Sequence, residues 1–122
     1  MKSKGLRTLG YYVGDLDKAK KWYTDVFETE PYFDEPFYVG FNIGGYELGL
    51  MPKEDGVTKG DNVLVYWDVA DVAAACAELT GKGAVVHTAP QDVGDGIIVA
   101  TVKDPWENVL GLIYNPHFKL DS

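Results

Sequence analysis

The chain is 122 residues long, 46% hydrophobic and 13% aromatic, with 19 acidic against 11 basic side chains and a formal charge of −8. That length suits one domain with a real core. No apolar run approaches bilayer length, and the acidic balance repels phosphate backbones, which speaks against a nucleic-acid partner. The charge is uneven, with ten acids and eight bases in residues 1–59 but nine and three in residues 60–122. Met1-Lys2-Ser3-Lys4-Gly5 lacks the apolar core of a leader peptide, so a cytoplasmic protein with no membrane contact is expected. Cys76 is the only cysteine. It lies in an alanine-rich helical pattern with nothing basic nearby in sequence, and reads as a small buried hydrophobe rather than a nucleophile.

Leu6 to Val13 has strand composition, with Leu9, Tyr11 and Val13 on one face and Thr8, Gly10 and Tyr12 on the other. Asp15 is a good N-cap for the stripe Leu16, Ala19, Trp22, Tyr23, Val26 and Phe27, and Pro31 and Pro36 prevent that helix from continuing. Phe37 to Ile43 and Tyr46 to Met51 flank Gly44-Gly45 as a hairpin. The polar segment 53–60 reads as a link. Val63 to Val69 is the next expected strand, with Asp71 the next N-cap. Val72, Ala75, Cys76 and Leu79 follow at helical spacing, and a glycine cap is expected within Gly81-Lys82-Gly83. Short strands are expected at Ala84 to Thr88, Ile97 to Val102 and Val109 to Tyr114, the last after the turn Asp104-Pro105-Trp106-Glu107-Asn108.

The chain reads twice. Tyr11-Tyr12-Val13-Gly14-Asp15-Leu16 returns as Tyr66-Trp67-Asp68-Val69-Ala70-Asp71-Val72, each before a helix. Leu48-Gly49-Leu50 returns as Leu110-Gly111-Leu112, each closing a half. The repeat predicts an α+β fold of two βαβββ units, 5–52 and 61–116, joined by 53–60 and followed by a tail, 117–122, all within one domain spanning 1–122. Together the units are expected to form a cupped mixed sheet with helices on its outer face and a cavity between the copies.

This order and these motifs resemble the vicinal oxygen chelate superfamily, of the glyoxalase, bleomycin resistance protein and dioxygenase type. The most specific pieces are Val13-Gly14-Asp15-Leu16-Asp17-Lys18-Ala19 with Trp22-Tyr23, and Asp104-Pro105-Trp106-Glu107-Asn108-Val109-Leu110. The resemblance implies, for metal-dependent members, a His or Gln seven residues before each N-cap acid and a Glu between aliphatic residues on each last strand. Those positions are Thr8, Leu64, Gly49 and Gly111 here. None is a usual ligand, so neither metal nor cofactor is expected. Glu47, two residues before Gly49 and on the same face, can be read as a displaced ligand, a general base, a counter-ion for a cation, or a rim residue in water.

Carried across, the family geometry puts Thr8, Gly10, Tyr12, Glu47, Gly49, Met51, Leu64, Tyr66, Asp68, Val109, Gly111 and Ile113 on the cavity face. The glycines are expected to leave volume and the tyrosines to offer stacking surface. The candidate ligand-binding residues are Thr8, Tyr12, Glu47, Gly49, Leu64, Tyr66, Gly111 and Trp106, with Asp68 as a second carboxylate. No catalytic residue is assigned, because His87 and His117 have no sequence-adjacent acid or nucleophile. The leading expectation is a metal-free, homodimeric binding protein for an amphipathic or cationic aromatic small molecule. The alternatives are a glyoxalase-type lyase or isomerase with a non-standard site, and an interaction module without a ligand. Whether the units pair within or between chains is left open.

Overall fold

The computed structural model describes residues 1–60 and 62–118. Asp61, where the second unit was expected to start, and residues 119–122 of the expected tail lie outside the described residues. The chain divides into two compact units, Met1–Thr58 and Lys59–Ser122.

The first unit runs β1 (Thr8–Val13), α1 (Leu16–Phe27), β2 (Phe33–Glu35), β3 (Tyr38–Ile43) and β4 (Tyr46–Pro52). Asp15 caps α1 as expected, its carboxylate accepting from the Lys18 N–H at 3.1 Å. The helix ends before the prolines are reached. Glu28 takes a left-handed conformation (φ 50°, ψ 41°) and its N–H bonds the Thr24 carbonyl, so Pro31 follows the stop rather than making it. At the hairpin, Gly44 and Gly45 both have positive φ, 61° and 93°. That is the conformation a two-residue turn demands and glycine accepts without strain.

The strands form one mixed sheet in the order β1-β4-β3-β2. β1 and β4 are parallel, pairing Thr8 with Glu47, Gly10 with Gly49 and Tyr12 with Met51. β3 and β4 are antiparallel, pairing Gly40 with Gly49 and Asn42 with Glu47. Alternation along the strands sends Tyr11, Val13, Val39, Phe41, Leu48 and Leu50 to the face on which α1 packs, where they are buried with Ala19 and Tyr23. Tyr23 anchors this core, stacking on Tyr11 and Phe27 at centroid distances of 6.2 Å. The opposite face carries Thr8, Gly10, Tyr12, Tyr38, Gly40, Asn42, Glu47, Gly49 and Met51.

The second unit runs β5 (Tyr66–Asp68), α2 (Val72–Gly81), β6 (Val85–Asp92), β7 (Ile98–Lys103) and β8 (Val109–Tyr114), with sheet order β5-β8-β7-β6. This is the same wiring as the first unit, and Tyr66 pairs with Gly111 where Gly10 pairs with Gly49. The repeat seen in the sequence is therefore a repeat of topology and register. Asp71 caps α2 through the Ala74 N–H at 3.0 Å. The helix closes with Gly83 at φ 105°, the Gly83 N–H on Thr80 and the Ala84 N–H on Leu79, the paired bonds of a glycine-terminated helix. Alternation again buries Ala100, Val102, Leu110 and Leu112, with Val72, Cys76 and Leu79 from α2 in the same unit's core.

Three strands differ from expectation, the first being β2, which lies between Pro31 and Pro36 where the sequence reading placed no strand. β5 has three residues rather than Val63 to Val69, which leaves Leu64 ahead of the strand. β6 extends to Asp92, beyond Thr88, because register shifts on either side of Thr88 let it keep pairing with β7 past Pro90.

Candidate functional site

On the open face of the first sheet, one charged side chain gathers three hydroxyls. Thr8 Oγ1 donates to Glu47 Oε1 at 2.9 Å. The Tyr32 hydroxyl donates to Glu47 Oε2, and the Tyr38 phenol lies close enough to act on the carboxylate's charge. Register explains the convergence. Thr8 lies directly beside Glu47 across the parallel pair, and Tyr38 is two residues along β3 from Gly40, the partner of Gly49. Tyr32 precedes β2, and its N–H bonds the Gly40 carbonyl at 2.9 Å, which swings its ring over that glycine. A β-carbon on Gly40 would lie 3.0 Å from both Glu47 Oε2 and the Tyr32 ring.

The electrostatics follow from these bonds. The Tyr32 hydroxyl, with Thr8 and Tyr38, holds the Glu47 carboxyl below its ordinary range against the opposing effect of burial. Burial, then the neighbouring Glu47 charge, pushes the Tyr38 phenol up to about 12. The hydrogen bond to Glu47 likewise raises Tyr32. The result is an ionised carboxylate held by protonated hydroxyls. No cationic side chain figures among the causes of the Glu47 shift.

Aromatic rings continue outward from this carboxylate. Phe33 lies 6.4 Å from Tyr32, 6.1 Å from Tyr38 and 6.0 Å from Phe37, centroid to centroid. Tyr32 and Phe37 are 64% and 65% exposed. Exposed aromatic surface of this kind costs solvation free energy unless something covers it.

The structure brings Thr8 and Glu47 into contact and keeps Tyr12 and Gly49 on their face. The volume expected beside the glycines is filled. Tyr38 stands over Gly49, its Cζ 2.6 Å from the place a β-carbon would take, and Tyr66 stands over Gly111 with its Cδ1 at the same distance. Gly10 is covered by the Met51 methyl, 2.8 Å from its would-be β-carbon. These glycines admit a neighbour; they do not leave a hollow. Leu64 is exposed ahead of β5, and Trp106 sits in the β7–β8 turn rather than on a strand.

In that turn, buried Asp104 accepts the N–H groups of Trp106 and Asn108 at 2.8 and 2.7 Å and the Asn108 amide at 2.9 Å. Lys59 Nζ reaches Asn108 Oδ1 at 2.8 Å. Burial lowers its pKa, opposed by Asp104 and Glu107. This is the local turn bonding that Asp-Pro followed by Asn predicts, and it makes the turn structural. His117 bonds the Asp95 carbonyl at 2.8 Å, tying the segment after β8 to the β6–β7 turn.

The charged site is confined to the first unit. Superposing the two registers puts Leu64 at the place of Thr8, Val99 at that of Tyr38, Thr101 at that of Gly40 and Val109 at that of Glu47. The second sheet thus presents apolar residues where the first presents the carboxylate and two of its neighbouring hydroxyls. Tyr32 and Tyr38 are the members of the Glu47 cluster that sequence reasoning missed. The two-residue turn Gly44-Gly45 fixes Ile43 opposite Tyr46, hence Gly40 opposite Gly49. Counting back from it would have put Tyr38 on the face of Glu47.

Two grooves in this unit lie away from Glu47. One of about 560 Å³ is lined by α1 and the following loop, including Lys20, Thr24, Glu28 and Asp34, with Lys20 and Asp34 paired at 3.0 Å. The other, about 350 Å³, includes Asp15, Asp17 and Glu35. Charged side chains dominate the first lining and acidic side chains mix with Leu16, Pro36 and Val39 in the second, and neither includes Glu47.

The chain belongs to the Glyoxalase/Bleomycin resistance protein/Dioxygenase superfamily, whose family model matches residues 5–112. Solved structures share the fold. A glyoxalase-related enzyme from Fulvimarina pelagi is 18% identical, with a TM-score of 0.82 over 98% of this chain and 94% of that one. A fosfomycin resistance protein from Listeria monocytogenes is 17% identical, at 0.78 over 96% and 97%. Lactoylglutathione lyase from Agrobacterium tumefaciens is 19% identical, at 0.71 over 98% and 100%. No curated protein matches significantly. At such identities the likeness establishes the fold, and function has to be argued from the site.

The residues at the family's metal-ligand positions are already committed elsewhere or carry no donor. Thr8 spends its hydroxyl on Glu47, Leu64 is apolar, and Gly49 and Gly111 have no side chain and are covered by tyrosines. Among the described residues no three His, Cys, Asp or Glu side chains gather to hold an ion. The donor set does not fit. Nor, among the described residues, is any helix long and apolar enough to cross a membrane.

Proposed function

We propose that this protein binds a small cationic aromatic or amphipathic molecule at the open face of its first sheet, with Glu47 as counter-ion and without a metal. The supporting observation is the Glu47 cluster: a carboxylate kept ionised by Thr8, Tyr32 and Tyr38, with no salt bridge to it among the described residues, beside exposed aromatic rings. A partly desolvated negative charge next to aromatic faces attracts a cation by charge pairing and by the ring quadrupole together. Burial of Phe37 and Phe33 against the ligand supplies the apolar part.

A lyase or isomerase would use Glu47 as a base. Hydrogen bonds from Tyr32 and Thr8, with the nearby Tyr38 phenol, lower its basicity, the wrong direction for proton abstraction near neutral pH, and this favours binding over turnover. Titration calorimetry with benzyltrimethylammonium tests the reading. Glu47→Gln keeps the shape and removes the charge, and is expected to weaken binding about tenfold. Equal affinity for the two proteins would remove Glu47 from the ligand site.

We extend the reading to a cytoplasmic homodimer. A free, buried Cys76 suits a reducing compartment. The outer strand β6 exposes Val85 and Val86, apolar surface on a sheet edge that a second copy would cover. Sedimentation equilibrium tests this, with a purely monomeric protein as the opposing result.

A further inference from the structure

We infer that the site selects a fully alkylated, quaternary ammonium over a primary ammonium or guanidinium; this rests on the reading of Glu47 as the ligand's counter-ion. The argument is one of acceptor capacity. A carboxylate offers about four lone-pair positions. Thr8 takes one on Oε1 and Tyr32 takes one on Oε2, with the Tyr38 phenol close beside them. Glu47 therefore keeps its negative charge but has about two acceptor positions left. A primary ammonium brings three N–H donors and a guanidinium five. Drawn out of water against this carboxylate, the donors beyond those two positions would go unpaired, and an unpaired desolvated donor is costly.

A quaternary ammonium has no donor to satisfy. It needs a negative field and polarisable faces at van der Waals distance, and the site supplies both. The rings of Tyr32, Phe33 and Tyr38 adjoin one another around the carboxylate, with Phe37 edge-on to Phe33 at 67°. Cation–π attraction is of this type. No cationic side chain of the described residues contributes to the Glu47 shift, so the charge is available. The hydroxyls thus act as a filter on the kind of cation, leaving the field intact while taking up part of the hydrogen-bonding capacity.

The test compares benzyltrimethylammonium, benzylammonium and benzyl alcohol by titration calorimetry on the full chain, with Glu47→Gln and Tyr32→Phe alongside. The quaternary compound is expected to bind about tenfold tighter than either of the others. Tyr32→Phe keeps the ring but frees an acceptor position, so it should narrow the preference for quaternary over primary ammonium to about threefold or less. Benzylammonium binding as tightly as the quaternary compound, with both lost in Glu47→Gln, would overturn the selectivity and leave the counter-ion reading standing. An unchanged preference in Tyr32→Phe would also overturn it. Benzyl alcohol matching both cations, or no binding by any of the three, would overturn the counter-ion reading as well.

Discussion

The ring of Tyr38 occupies the space above Gly49, with Cζ 2.6 Å from the position of an added β-carbon and the hydroxyl nearer still. The same ring lies beside Glu47, whose charge joins burial in pushing its phenol up to about 12. One glycine therefore makes room for the tyrosine that helps set the state of the neighbouring carboxylate. The second unit also covers its glycine with a tyrosine, Tyr66, but from the parallel strand β5, and there the Val65 carbonyl oxygen also lies 2.6 Å from the would-be β-carbon of Gly111.

That difference separates two otherwise similar substitutions. Gly49→Ala meets a side chain that can rotate away, and is expected to cost about 1–3 kcal/mol. In a Tyr38→Ala background the added cost should nearly vanish, because the obstacle is gone. Gly111→Ala meets backbone at Val65, so it should cost about 3 kcal/mol and gain little from Tyr66→Ala. Urea unfolding of the single and double variants checks this, and equal coupling in both units would contradict it.

The pH dependence of stability follows from the directions of the shifts. Glu47 has a folded pKa below its ordinary 4.5, so its hydrogen bonds stabilise fully above that value and are lost as pH falls through the lowered one. Glu47→Gln should flatten the acid limb of the urea midpoint below pH 4.5. Tyr38 shifts the other way, from 10.0 to about 12. Its contribution is complete below pH 10 and is lost as pH rises through about 12. Phenolate absorbance should show a tyrosine titrating late, and Tyr38→Phe should remove it.

Asp104 accepts three hydrogen bonds while buried. Asp104→Ala leaves the Trp106 and Asn108 N–H groups without this acceptor and is expected to destabilise by about 1–3 kcal/mol. Ligand affinity at Glu47 should not change. Thermal unfolding and titration calorimetry on one preparation check the two halves of the claim.

The helix caps provide a calibrated comparison. Asp15→Ala and Asp71→Ala each remove one acceptor from a first turn, at about 1 kcal/mol apiece. Asp15→Asn and Asp71→Asn should recover most of that loss in urea unfolding. A loss that asparagine does not recover would point to a role beyond capping.

Much of the fold was legible because its signals are local. Asp15 and Asp71 mark helix starts through their own side chains, Gly44-Gly45 marks a turn through its dihedrals, and Leu-Gly-Leu marks both last strands through alternation. The stop of α1 was misattributed, since a glutamate in the left-handed region gives no sequence sign that glycine would have given. β6 was read short because Pro90 looks like a terminus, and only its pairing with β7 carries the strand past it.

From the chain alone came the doubled βαβββ order and the faces of the strands, which depend on residue type and on periods of 2 and 3.6 that travel with the sequence; the family resemblance then picked out Thr8, Leu64, Gly49 and Gly111 as positions without a usual metal ligand. Tertiary structure decided what fills the glycine positions and which hydroxyls reach Glu47. Tyr32 and Tyr38 stand 15 and nine residues from Glu47 along the chain. Only strand pairing, which converts register into distance, brings their oxygens to one carboxylate.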